Sequence, residues 1–281
     1  MERRIFAGII AGSVCITLGF FLLRPKPVSI PRHALPEAAE IPARPSEPLS
    51  GVTVILDPGH GGEDPGAVCG PLSEAALTYR TAAEVAAKLR ERGADVVFTV
   101  RSRELAPSLA VTEPPAVRPT DAVLVSTNQP LHLRHSPEPL WQRAATAQRL
   151  WSQRRRRDRN ASRDVFFLSL HYDESAVVGV SGSVVCVDRR VSPVPAFARM
   201  LAREMMAGHF GRVTDFQGIQ GLSGRKLGVL DPEYNPVPEK ALLEMATLSN
   251  PQDALEASDP VWRTEIARRI ADAVTLVHQQ R

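Results

Sequence analysis

The sequence predicts an α/β fold: a single domain with a mixed, largely parallel twisted sheet flanked by helices, placed after an N-terminal membrane segment and a Pro-rich tether. Three observations predict it. From Val52 onward, short apolar runs alternate with longer segments of helical period. The first two runs and the segment between them have the lengths of a strand–helix–strand crossover. Polar residues able to do chemistry stand where apolar runs stop, as expected at the carboxyl edge of an open sheet.

The elements follow in order. Met1-Glu2-Arg3-Arg4 precedes nineteen uncharged residues, Ile5 to Leu23, and Arg24 and Lys26 follow. A basic flank before an apolar run reads as an export signal or signal anchor over residues 1–24, and a span at 5–23 kept in the inner membrane is the favoured form. Residues 25–50 carry seven prolines and no periodicity, which describes an extended linker. The domain proper is 51–281. Val52–Leu56 is a strand. Thr78–Arg92 has Ala82, Val85, Ala86 and Leu89 at helical spacing before Gly93. Asp95–Thr99 is the next strand. Residues 102–139 are an insertion rich in proline. Trp141–Arg157 is a helix ending in four arginines, a charge that suits a helix C-terminus. Val165–Leu170 and Ser181–Val187 are strands, Ala196–Ala207 a helix, Leu227–Leu230 and Lys240–Leu243 short strands. Trp262–Val277 is the last helix.

Composition narrows the function. Hydrophobic residues make up 43% of the 281, enough for a core, and the net charge is +3 with a pI near 9.0. Aromatics are only 5%, and no nucleic-acid motif accompanies the mild positive charge. An anionic cell envelope fits that balance better than DNA or RNA.

The candidate site starts with Asp57-Pro58-Gly59-His60-Gly61-Gly62, a Gly/Pro loop that lifts one histidine off the end of the first strand. His171 follows the run Val165–Leu170, and Glu244 follows Ala241-Leu242-Leu243. Glu74 opens a helix, where a carboxylate serves equally as a ligand or as a partner of the helix dipole. Two imidazoles and a carboxylate, with one position left for water, make a catalytic zinc site, and a second carboxylate supplies a base. Asp57 either braces His60 or simply forms the turn before Pro58; the sequence favours neither. Cys69 and Cys186 are an oxidisable pair or two free thiols.

These residues resemble, in order and spacing, the zinc-dependent N-acetylmuramoyl-L-alanine amidases of the type-3 family. Members show D-P-G-H-G-G-x-D-x-G-A after a strand, then a Glu near the next helix, T-R, S-I-H-x-N and V-E-x-G-F-x-S-N. Here the counterparts are Asp57 to Gly62 with Asp64, Gly66 and Ala67, then Ser73-Glu74, Thr99-Val100-Arg101, Ser169-Leu170-His171 and Leu243-Glu244 with Leu248-Ser249-Asn250. The resemblance spans 51–281. It implies one zinc ion per chain held by His60, Glu74 and His171, and Glu244 as the general base in cleavage of the bond between N-acetylmuramic acid and L-alanine in peptidoglycan. It further implies a periplasmic or other extracytoplasmic site of action and, as in some relatives, room for an activator protein; the composition adds the expectation of no nucleic-acid partner, and a monomer is expected. The departures are Asp173 where the family has Asn, and Met245-Ala246-Thr247 after Glu244. Arg143 matches an arginine of the family's flanking helix. Either the 102–139 insertion or residues 188–222 would serve as a segment blocking the metal. The rival readings are a non-catalytic peptidoglycan-binding protein of the same fold and a zinc peptidase acting on the stem peptide.

Overall fold

A computed structural model describes residues 47–62, 64–102, 122–124, 138–157, 161–177 and 179–281. The expected membrane segment and most of the tether lie outside these residues, as do 103–121 and 125–137 of the insertion. Among the described residues no helix is long and apolar enough to cross a membrane.

Six strands make the central sheet: β1 (Thr53–Pro58), β2 (Asp95–Phe98), β3 (Val165–Asp173), β4 (Val184–Asp188), β5 (Leu222–Arg225) and β6 (Glu239–Thr247). Their spatial order is β5-β4-β6-β3-β1-β2. The run from β2 through β1 and β3 to β6 is parallel; β4 lies antiparallel to β6, and β5 runs parallel to β4. Among the described residues five helices flank it: α1 (Glu74–Arg90), α2 (Glu138–Arg157), α3 (Ala196–Ala207), α4 (Pro251–Ser258) and α5 (Pro260–Gln279). The mixed, largely parallel sheet is therefore as expected.

Both sheet faces are covered, which explains why the strands read as unbroken apolar runs. Alternation sorts their side chains. Val54, Leu56, Phe166, Leu168 and Leu243 join residues of α1, α3 and α5 in one core. Ile55, Phe167, Cys186 and Leu242 point the other way, towards Ala147 of α2 and the turn Gly228–Leu230. Continued along the strands, the same alternation assigns Asp57, His171 and Glu244 to the α2 face.

Several boundaries differ from expectation. The helix expected from Thr78 begins at Glu74. The strand expected at Leu227–Leu230 is instead a single 3-10 turn, and the strand is Leu222–Arg225 just before it. Its apolarity reflects burial of Val229 and Leu230 under α2, which period alone does not distinguish from strand pairing. The Lys240–Leu243 strand runs to Thr247. Helix α4 was not expected, although Asn250 before Pro251 is a start signal: its side chain accepts from the Gln252 and Asp253 amides. Of the insertion, Ala122–Leu124 pairs antiparallel with Val100–Ser102. Within 188–222, α3 buries Phe197, Leu201 and Met205 in the core, so its helix is a structural element and not a removable plug.

Candidate metal centre

Pro58, paired with Leu170, is the last residue of β1 and has no N–H of its own to give the ladder. His60 sits just beyond it at φ +60°, a left-handed conformation uncommon for a residue with a side chain. Such a conformation persists only where its surroundings impose it. The Gly59 amide donates to Leu170 O at 2.8 Å, and Thr78 Oγ1 donates to Gly59 O at 2.9 Å. Arg143 Nη2 reaches in from α2 and donates to His60 O at 2.6 Å.

Asp57 takes neither of its expected roles. It is buried at the end of β1, on the α2 face, and accepts from Arg143 Nη1 at 2.8 Å, Ser169 Oγ at 2.7 Å and the Thr99 hydroxyl. It thus anchors Arg143, and Arg143 holds the backbone of His60. The imidazole is oriented by Asp64 instead: its Oδ2 lies 2.8 Å from His60 Nδ1, and its Oδ1 accepts from the Gly66 amide at 3.0 Å. That leaves Nε2 aimed at Glu74 Oε2, 3.1 Å away. Asp64 stands in the motif, but only the i, i+4 fold-back of the loop brings it to the His60 ring.

Glu74 is 3% exposed at the first position of α1. Its carboxylate does not cap its own helix. Oε1 accepts from His171 Nδ1 and from the Tyr172 amide, both at 2.9 Å, and Oε2 accepts from the Ala67 amide at 2.9 Å. The two imidazoles meet nearly edge to face, ring centroids 4.9 Å apart. Two glycines make room for this cluster. A Cβ on Gly59 would stand 2.4 Å from the His171 ring, and one on Gly66 would stand 2.5 Å from Glu74 Oε2.

His60, Glu74 and His171 each offer one ligand atom, all within 4.8 Å of one another. Both histidine side chains keep some solvent exposure, 25% and 19%. Two imidazoles and one carboxylate, partly open to solvent, fit the donor set and the open position of a catalytic zinc site. The electrostatics agree. Burial opposes a charge on His60, yet its bonds to Glu74 and Asp64 prevail and push its pKa up to about 9. Burial likewise opposes a charge on Glu74, and the two imidazoles prevail, holding it well below the usual carboxylate range. The pocket is thus built for a positive charge beside Glu74.

Glu244 lies directly across from His171 in the β3–β6 register. Neither residue stands past the end of its strand, as the sequence suggested; each strand continues to a residue beyond, to Asp173 and Thr247. Both nevertheless occupy the carboxyl ends of parallel strands, where a shift of register follows Glu244. Burial raises the pKa of Glu244. Asp173, in place of the family's Asn, accepts from Arg212 Nη1 at 2.9 Å, so the added charge is compensated. Cys69 and Cys186 are free thiols, and burial pushes Cys186 up to about 12.

The sequence model of the N-acetylmuramoyl-L-alanine amidase family matches residues 54–276. The germination-specific N-acetylmuramoyl-L-alanine amidase of Bacillus subtilis (strain 168) is 51% identical over 63 residues, 22% of this chain. The chain spans 27% of the length of the curated relatives it matches. Among solved structures, the amidase Ami1 of Mycobacterium smegmatis aligns with a TM-score of 0.58 at 20% identity, over 83% of this chain and 99% of that one. The CwlD amidase of Clostridioides difficile, solved in complex with the GerS lipoprotein, aligns with a TM-score of 0.55 at 18% identity, over 82% and 98%. At such identities these structures speak for the fold alone.

Proposed function

The chain belongs to the N-acetylmuramoyl-L-alanine amidase family, and from that premise we propose that it hydrolyses the amide bond between N-acetylmuramic acid and L-alanine in peptidoglycan. The observation that carries the reading is the convergence of His60, Glu74 and His171 within 4.8 Å, with Glu244 paired in register to His171.

His60, Glu74 and His171 would hold one zinc ion per chain. Bound there, zinc supplies Lewis acidity, lowering the pKa of water towards about 7 and polarising the scissile carbonyl. The remaining work belongs to the chain. Asp64 keeps Nε2 of His60 directed at the metal position, and Ala67 and Tyr172 amides keep the Glu74 carboxylate in place. Glu244 takes a proton from the attacking water and returns it to the nitrogen of L-alanine as the bond breaks. Its burial favours that cycle, because raising the carboxylate pKa makes it a stronger base towards the water and brings it nearer the working pH. No serine or cysteine nucleophile is needed, and the buried Cys186 thiol is too weakly acidic to be one.

Peptidoglycan lies outside the cytoplasm, so the protein works in the cell envelope, as a monomer and without nucleic acid. Anchoring to the inner membrane through residues 5–23 belongs to this reading, although those residues are outside the described ones. A partner protein that governs activity is a further part of it; one relative of this fold was solved with a lipoprotein bound.

The test is incubation of the zinc-loaded protein with isolated peptidoglycan, beside a Glu244→Gln variant. Stem peptides with a free N-terminal L-alanine, released by the parent and not by the variant, are the expected result. Release of peptide fragments cut within the stem would replace the amidase by a peptidase. Binding to peptidoglycan without any cleavage, with zinc present, would replace it by a binding protein.

A further inference from the structure

Arg225, the last residue of β5, stands beside the proposed base, and among the described residues its guanidinium makes no hydrogen bond. Nη1 is 3.7 Å from Glu244 Oε1 and Nη2 is 3.9 Å from Asp173 Oδ2. Both separations exceed hydrogen-bond length, and among the described residues no side chain or carbonyl accepts from this guanidinium. Its side chain is 36% exposed. The neighbouring arginine faces the same Asp173 oxygen but is satisfied. Arg212 is only 17% exposed and spends its donors on Asp173 Oδ2, Thr247 Oγ1 and the carbonyls of Ser181 and Gly182.

An arginine held by two carboxylates but bonded to neither is positioned without being satisfied. The two negative charges hold the guanidinium beside Glu244, and its 36% exposure leaves donors open to a ligand there. A guanidinium is a planar fork of five N–H donors matched to a carboxylate. The stem peptide supplies one close to the scissile bond, because the residue after L-alanine is a glutamate linked through its γ-carboxyl, leaving the α-carboxyl free. We propose that Arg225 forms a carboxylate subsite that binds this α-carboxyl and so sets which form of the stem peptide is cut. The subsite is particular to this chain's charge pattern, since Asp173, one of the two carboxylates that hold Arg225, replaces the family's asparagine.

The inference rests on the amidase reading, and the experiment separates the two. Soluble muropeptides with the glutamate α-carboxyl free or amidated are given to the full zinc-loaded protein and to Arg225→Gln and Arg225→Lys variants, with thermal melts to confirm folding. The parent is expected to favour the free acid by about 10- to 100-fold in kcat/KM, expressed mainly in KM, the range of a charge-assisted hydrogen bond. Arg225→Gln erases the preference, and Arg225→Lys keeps part of it. A parent without preference, a preference that survives Arg225→Gln, or an equal loss of kcat on both substrates overturns the subsite; the last result would make Arg225 only a neighbour of Glu244. In parallel, Kd values are measured for L-alanyl-D-glutamate with its γ-carboxyl blocked and its α-carboxyl free or amidated. If no muropeptide is cut, the amidase reading fails while these affinities still decide the subsite: acid favoured through Arg225 upholds it, and equal affinities refute it.

Discussion

Gly59→Ala should leave the fold intact and destroy the metal site. An added Cβ would lie 2.4 Å from Cε1, 2.5 Å from Nε2 and 2.7 Å from Nδ1 of His171, where ordinary contact starts at 3.4 Å. The ring must therefore retreat by about 1 Å, twice the roughly 0.5 Å within which a ligand must be held. Backbone relief is blocked, because Gly59 is tied at its amide to Leu170 and at its carbonyl to Thr78. Relief by tilting His171 would drag on Glu74, which is bonded to its Nδ1. Loss of an outer partner of a metal ligand costs about 10- to 100-fold in affinity, so displacement of the ligand itself should cost at least about 100-fold. The assay is competition of the purified variant against a chromophoric zinc chelator, with circular dichroism confirming the fold. A variant that binds zinc as tightly as the parent would refute the reasoning, since His171 would then not be a ligand in this position.

Four further outcomes are expected. Asp64→Asn should weaken zinc by about 10- to 100-fold while leaving the thermal stability of the zinc-free protein little changed outside the His60 window described next; chelator competition and melts check both. In the zinc-free protein His60 has a raised pKa of about 9, so its pairing stabilises the fold fully below about 6.5 and the benefit disappears as pH rises through 9. Zinc uptake at pH 7 should accordingly release a proton from His60, measurable by calorimetry in buffers of different ionisation heats. Glu244→Gln should retain zinc and lose about 10²- to 10⁴-fold in kcat, and the acid limb of the parent's pH–rate profile should fall above the ordinary glutamate pKa of 4.5. Arg143→Met removes one partner of a buried pair and should cost about 3–5 kcal/mol in chemical denaturation, with a zinc deficit because the His60 carbonyl loses its donor.

Much of the molecule is legible in the chain. Apolar runs of strand length, helical periods between them and Gly/Pro loops at the run ends follow from local sterics and burial, so they determine the α/β class, and His60 and His171, two of the three proposed metal ligands, sit just beyond such runs. Strand ends were harder to read: β3 and β6 continue past His171 and Glu244 because hydrogen-bond pairing with neighbours, which no local pattern reports, carries them on. The 3-10 turn at Gly228–Leu230 was mistaken for a strand because burial under a helix and pairing in a sheet demand the same apolar residues. Partnership lies beyond sequence altogether. Whether Asp57 or Asp64 serves His60 depends on where a left-handed turn sends the loop, and whether Glu74 caps a helix or meets two imidazoles depends on how α1 docks against the sheet edge. Residue types set which chemistry the chain can perform; the distances between groups 14 to 184 positions apart, from His60 and Glu74 to His60 and Glu244, are created only by packing, because hydrophobic burial of both sheet faces is what brings those strand ends side by side.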